Sequence, residues 1–227
     1  MSDNPEIAKN SDVCGVGTKY FVHGASDAPA RTRRTQAERS EAMRSRLAMA
    51  AYETVADGGL KALRLRSVAR ATGVSQGALL HHFPDKNAVI LAALEQALEL
   101  ARDDSIAAHD SAPDSAEASL RAMLAEFRGF FYSDRFWVAM GVTIEASKDA
   151  VLYPTVRRLV ARLRNPIYAN WEARLCASGW SVESAALTVR TATALVSGAA
   201  IRRFWAEPDA LTGQIEAKWI AERLAAR

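Results

Sequence analysis

Between Arg64 and Lys86 the sequence Arg-Leu-Arg-Ser-Val-Ala-Arg-Ala-Thr-Gly-Val-Ser-Gln-Gly-Ala-Leu-Leu-His-His-Phe-Pro-Asp-Lys admits two short helices joined by a tight turn, with a new helix entered after Pro84. Leu65, Val68, Ala69 and Ala71 offer the first helix an inward face, and Gly73 suits a left-handed or closely packed turn position. Val74, Leu79 and Phe83 can then plug the second helix onto the first. The pattern is a helix-turn-helix. Its outward residues are Gln76, Ala78, Leu80 and His81, flanked by Arg66 and Lys86, a set able to meet base edges and phosphates.

The remainder of the chain reads as helix. Met43, Leu47, Ala50, Ala51 and Val55 return at spacings of three and four, predicting a helix from about Gln36 to Ala56 that stops at Gly58-Gly59. After the motif, Val89, Ile90, Ala93, Leu94, Ala97 and Leu98 give a long fourth helix a broad apolar face, from about Asp85 as cap to Ala108. A loop at 109–115 precedes helices at about 116–132 and 135–146. A long amphipathic stretch from Leu152 to Ala177 is expected to break or bend at Pro166. Ser181 can cap a helix ending near Ala206. A turn at Glu207-Pro208-Asp209 starts the last helix, with Ile215, Trp219, Ile220 and Leu224 inward. Residues 1–35 contain Gly15, Gly17, Gly24, Pro5 and Pro29 without periodicity and read as a flexible leader. Arg31, Arg33 and Arg34 at its end are either a solvated basic patch or an arm that contacts DNA. No strand-length alternation competes, so the chain is all-α.

Charge separates the two ends of this plan. Residues 31–86 carry eleven basic and five acidic side chains, whereas residues 87–227 carry sixteen basic and seventeen acidic ones. Polyanion contact is thereby confined to one module. Enzyme chemistry has no foothold: there is no phosphate-cradling glycine loop, no HExxH, no GxSxG and no cysteine cluster. His81 and His82 are adjacent and lack the i, i+4 spacing of a helical metal pair, so neither a metal nor a cofactor is expected. The two cysteines, Cys14 and Cys176, do not suggest a disulfide framework. The uncharged run from Thr191 to Ile201 is too short to span a bilayer, and acidic Asp3 and Glu6 do not suit a secretory signal. A cytoplasmic protein without membrane contact is expected.

The stretch Gly73-Val-Ser-Gln-Gly-Ala-Leu-Leu-His-His-Phe-Pro-Asp-Lys86 resembles the TetR (tetracycline-repressor-like) family of bacterial transcriptional regulators, by motif over about Gln36 to Leu98 and beyond that by helix number and order. The resemblance implies that Arg66, Gln76, Gly77 and Ala78 face the major groove. His81, His82 and Lys86 would line the phosphate backbone, and Arg64, Ser75 and Leu80 complete the DNA-facing set. Gln76 would pair with adenine, Arg66 with guanine, and Ala78 would touch a thymine methyl. Two departures stand out. Leu80 replaces a tyrosine common in the family and removes a phosphate-contacting hydroxyl. Arg64 stands where a capping threonine or serine is usual, though its guanidinium can itself reach a phosphate.

The resemblance further implies an N-terminal three-helix module (36–84) joined by the fourth helix to an effector-binding and dimerisation domain (85–227). A homodimer would place two recognition helices about 34 Å apart on a palindromic or near-palindromic operator in double-stranded DNA. Leu187, Thr191, Ala194, Leu195, Gly198 and Ile201 form a stripe suited to close helix approach, with Trp205, Ile215 and Trp219 as added apolar surface for the dimer. Phe127, Phe131, Phe136, Trp137, Met140, Tyr168 and Trp171 are either ordinary core or the lining of a pocket for a small apolar or amphipathic effector. Glu145, Tyr132 and Asn170 are its polar options. The function expected is a homodimeric repressor released from DNA by that ligand. An activator, an effector-independent regulator and a helical interaction module are the alternatives.

Overall fold

Apolar residues recurring every three or four positions set the lengths of the helices, and short polar side chains set several of their starts. The computed structural model describes residues 35–111, 115–203 and 209–227, with only the backbone of 209 and 210. Along the chain run α1 (Gln36–Gly58), a 3-10 turn (Leu60–Ala62), α2 (Leu65–Ala71), α3 (Gln76–His82), α4 (Lys86–Ser111) and α5 (Ala116–Phe131). They are followed by α6 (Asp134–Ala146), α7 (Leu152–Ala177), α8 (Val182–Arg202) and α9 (Asp209–Ala225). Among the described residues there is no strand. The leader, with its three arginines, and Trp205 lie outside the described residues.

Helix starts follow capping chemistry. Asp85 Oδ1 accepts from Ala88 N at 2.8 Å, Ser115 Oγ from Ala118 N at 3.1 Å and Ser181 Oγ from Ser184 N at 3.1 Å. Each satisfies an amide that the first turn leaves without an intrahelical partner. The Gly58-Gly59 stop has two separate causes. A Cβ on Gly58 would lie 2.6 Å from the Ala62 side chain, and Gly59 sits at φ +68°, where an L side chain is strained.

Two apolar clusters hold the bundle. The first joins Leu47, Ala51 and Val55 of α1, Val68 of α2, Leu79 of α3 and Val89, Leu94 and Leu98 of α4 to Val138 and Val142 of α6 and to Val156 and Leu163 of α7. The second gathers Leu120, Met123, Phe127 and Phe131 of α5, Phe136 of α6, Tyr168 and Trp171 of α7, Val189 and Val196 of α8, and Ile220 of α9. Phe130 packs against both. The front core thus draws on the back half, and α4 runs through it. Ion pairs Glu95–Arg162 and Asp104–Arg135 tie α4 to α7 and α6, and Arg128–Glu216 ties α5 to α9.

Several expectations need correction. Helix α7 continues through Pro166 without interruption; Pro166 is exposed, where water can take the carbonyl that the missing N–H leaves unbonded. Ala71 is exposed rather than inward, because α2 ends there and Thr72 turns into the core side instead. Helix α8 ends at Arg202, short of Ala206. On α9, Ile220 is buried and Trp219 and Leu224 half-buried, but Ile215 is exposed. Helix α8 also has the length and hydropathy of a membrane span, yet Ala185, Val189, Ala192, Val196 and Ala200 are buried in the second core, as in a core helix of a bundle.

Candidate functional site

The turn between α2 and α3 is built to hold one orientation. Gly73 has φ +71°, a left-handed conformation open to glycine and costly for other residues. Before it, Thr72 Oγ1 donates to the carbonyls of Val68 and Ala69 at 3.0 and 3.1 Å. After it, Ser75 Oγ accepts from Ala78 N at 3.1 Å and caps α3. Leu79 is wholly buried and Phe83 almost so, in the core that α3 shares with α2, α1 and α4, with α2 its main neighbour. Truncating either to alanine would cost roughly 2–5 kcal/mol.

Two arginines of α1 complete this seat. Arg46 Nη2 donates to the Thr72 carbonyl at 3.0 Å. Arg44 Nη1 donates to the His82 carbonyl at 3.0 Å, with its guanidinium 4.6 Å from the centre of the Phe83 ring. The first end-capping contact fixes the turn and the second fixes the far end of α3. Neither residue was among the sequence candidates. Their one signal is basic charge on the outer face of an amphipathic helix, which cannot be told from ordinary solvation without the tertiary contact.

With the inward face accounted for, the structure leaves Arg66, Gln76, Gly77, Ala78, Leu80, His81 and Lys86 exposed. His82 is half-buried, its ring edge-on to that of His81 at 5.5 Å. Ser75 is exposed but committed to its cap. Arg64 is exposed at the N-cap of α2, makes no side-chain cap and donates instead to the Lys61 carbonyl. Lys86 opens α4 directly after the Asp85 cap. Arg66 on α2, Gln76 on α3 and Lys86 at the start of α4 are thus each exposed, two basic side chains and one amide.

The aromatic candidates separate into two groups. Phe127, Phe131 and Tyr168 line a small chamber together with Phe130, Leu98, Ala101 and Ile167, with Glu126 and Arg164 also in its lining. Phe136, Trp137, Met140 and Trp171 belong to the surrounding packing of the second cluster. Beside the chamber a larger cleft of about 420 Å³ opens between α4 and α5, sharing Ala101, Glu126 and Phe130 with it. Glu126, which was not among the sequence candidates, is the acidic group shared by the chamber and the cleft. Trp171 Nε1 donates to its Oε2 at 3.0 Å. Burial pushes its carboxyl up to about 7, against the opposing pull of hydrogen bonds from Trp171 and Ser105 and the charge of Arg164.

The expected polar options sit elsewhere. Glu145 is exposed at the end of α6, where a 2.8 Å hydrogen bond and the charge of Lys148 hold its carboxyl below the usual range. Asn170 is exposed on the far side of α7 beside His109, and Tyr132 lies under the Arg203 guanidinium at 4.5 Å. An acid one position off an apolar helical stripe was the available signal for Glu126, since it falls at the stripe's edge next to Phe127.

On α8, Leu187 and Ile201 are exposed, Ala194 is exposed, and Thr191 and Gly198 are half-buried, all on one side. Leu195 is instead half-buried against the second core, as is Trp219 of α9. Ile215 and Leu211 of α9 are exposed.

A capped helix α3, clamped by α1 and entered through a left-handed turn after α2, has the build of a helix-turn-helix. Residues 48–93, from the middle of α1 into α4, match the family model for bacterial regulatory proteins of the tetR family. The chain is 31% identical over 173 residues to the HTH-type transcriptional regulator CymR of Pseudomonas putida, covering 76% of this chain and 85% of that one. In fold it is similar to SCO4454, a TetR-family transcriptional regulator of Streptomyces coelicolor, with a TM-score of 0.60, 21% identity and coverage of 81% and 94%. It is also similar to the multidrug binding protein EbrR complexed with imidazole, with a TM-score of 0.55, 19% identity and coverage of 78% and 93%. The chain belongs to the tetR family of bacterial transcriptional regulators, which bind DNA and are not enzymes.

Proposed function

We propose that this regulator is a homodimeric cytoplasmic repressor that occupies a palindromic or near-palindromic operator and leaves it when a small apolar or amphipathic effector binds its back half. In this reading residues 36–84 are the DNA-binding module and residues 85–227 the effector and dimerisation domain. Gln76 and Arg66 read bases, Ala78 meets a thymine methyl, and Lys86 with the histidines addresses phosphate. Leu80 offers the groove an apolar contact in place of a hydroxyl.

The observation that carries the reading is the course of α4. Its first residue, Lys86, is exposed four residues after α3 ends, and its Leu98 and Ala101 line the aromatic chamber. A ligand that moves α4 at the chamber shifts the frame on which α3 is seated, and differential affinity for the two frames becomes differential operator affinity. The imidazole complex of EbrR is a precedent for a small molecule in this fold. The exposed Leu187, Ile201, Leu211 and Ile215 support a dimer face on α8 and α9.

The test is selection of a random duplex library on the purified protein, followed by titration of the enriched site at two salt concentrations. Two symmetric half-sites bound by one dimer are expected. Binding that falls equally for every sequence as salt rises would reduce the basic face to nonspecific phosphate contact and overturn the reading.

A further inference from the structure

The cleft between α4 and α5 has an unusual make-up. Its floor is small, with Ala101 from α4 and Ala122, Ala125 and Gly129 from α5, and the missing side-chain volume is what opens about 420 Å³. That size lies within the range of small-molecule sites. Its charged residues are Asp104, Arg135 and Glu126. Asp104 and Arg135 are paired with each other, and among the described residues Glu126 makes no ion pair. Its partners are neutral donors, Trp171 Nε1 and the Ser105 hydroxyl.

Behind Glu126 stand the rings of Phe127, Phe130, Phe131 and Tyr168, whose chamber as it stands has room for about one water. The nearby cation, Arg164, is already engaged. It donates to the Tyr168 hydroxyl, with its guanidinium 5.7 Å from the centre of the Phe131 ring and 5.1 Å from that of Tyr168. A carboxylate that makes no ion pair among the described residues, with the charge of Arg164 only nearby, stands beside aromatic rings whose quadrupoles favour positive charge; it is complementary to a cation and repels an anion.

The geometry points to an organic cation as the occupant of this cleft: an ammonium group on the Glu126 carboxylate, with an apolar or aromatic tail against Phe130 and the chamber behind it. This inference rests on the reading of the back half as an effector domain and names the ligand's chemistry. Glu126 supplies the ion pair that favours the ammonium over neutral and anionic analogues of the same shape, since a neutral group gains no charge–charge attraction there and an anion meets like charge. Phe130, shared by the cleft and the chamber, is the ring that must turn for a tail to pass inward.

The test is calorimetric titration of the full chain with three probes of one skeleton: 2-phenylethylammonium, 2-phenylethanol and phenylacetate. The ammonium is expected to bind about tenfold or more tightly than the alcohol, and phenylacetate most weakly. The Glu126→Gln variant, checked for unchanged helicity and operator binding, is expected to lower the ammonium's affinity to that of the alcohol and leave the alcohol's unchanged. The inference is overturned if none of the probes binds, if the alcohol or phenylacetate matches the ammonium, or if Glu126→Gln leaves the ammonium's affinity intact. Operator titration separates the two readings. Glu126-dependent ammonium binding that leaves operator affinity unchanged keeps this inference and refutes effector control. Operator release by the alcohol alone does the reverse.

Discussion

Replacing Glu126 by glutamine gives a stability change whose size depends on pH in a way the structure dictates. The glutamine oxygen still accepts from Trp171 Nε1, so shape and hydrogen bond persist while the titrating charge goes. Glu126 has its carboxyl raised from 4.5 to about 7 by burial. Its folded-state pKa lies above the unfolded one, so the folded protein holds the proton more tightly. Stability associated with the neutral acid is fully present below about pH 4.5 and is lost as pH rises toward and through 7. A shift of that size corresponds to about 3 kcal/mol once the group is ionised in both states, and to under about 1 kcal/mol near pH 5. Arg164's attraction is already contained in the net shift. Glutamine has no such dependence. The variant should therefore gain about 2–3 kcal/mol on the wild type between pH 5 and pH 8. Urea unfolding of both proteins at the two pH values, at one protomer concentration so that any dimer linkage cancels, measures the double difference. An equal gap at both pH values would show that the carboxylate is solvated, and the account of the cleft's electrostatics would fail.

Other expectations concern the DNA face and the outer helices. Gln76→Ala should lower operator affinity by about 1–3 kcal/mol and relax preference at one base pair while the fold is kept, as read by competition binding against base-substituted duplexes. Lys86→Ala should instead weaken all duplexes alike and reduce the salt slope by about one; a sequence-selective loss would contradict the phosphate assignment. Gly73→Ala meets no side chain, since nothing lies within 4 Å of the added Cβ. Its cost is then backbone strain alone, about 1–2 kcal/mol in thermal or urea unfolding, and a neutral result would refute the left-handed turn. Leu187→Glu combined with Ile201→Glu leaves the buried face of α8 untouched. It should convert dimer to helical monomer by sedimentation velocity, with operator affinity falling alongside; an intact dimer would place the interface elsewhere.

Much of the helix-turn-helix was legible because its determinants are local. Gly73, Ser75, Leu79 and Phe83 act within a dozen residues of one another, through a turn, a cap and two knobs, so spacing alone discloses them. The DNA-facing edge follows by subtraction once the inward positions are assigned. Ala71 and Ile215 were misjudged because a periodic stripe says which face is apolar and not where that face stops being covered. Pro166 was judged by its helix-breaking chemistry, but α7 runs through it, with the ring exposed so that water can take the freed carbonyl. Arg44 and Arg46 were silent for a different reason. Their partners, the His82 and Thr72 carbonyls, are 38 and 26 residues away, and backbone acceptors leave no mark in a sequence.

By itself the amino-acid sequence determined the helices, the turn, the caps and most of the exposed side of the helix-turn-helix, because those depend on propensity, periodicity and near-neighbour hydrogen bonds. Only the tertiary structure decided which aromatics enclose space and which merely pack, and that the polar group among them is Glu126 rather than Glu145 or Asn170. Burial and the raised pKa that follows from it arise when α4, α5 and α7 exclude water together, and that exclusion belongs to no one segment of the chain.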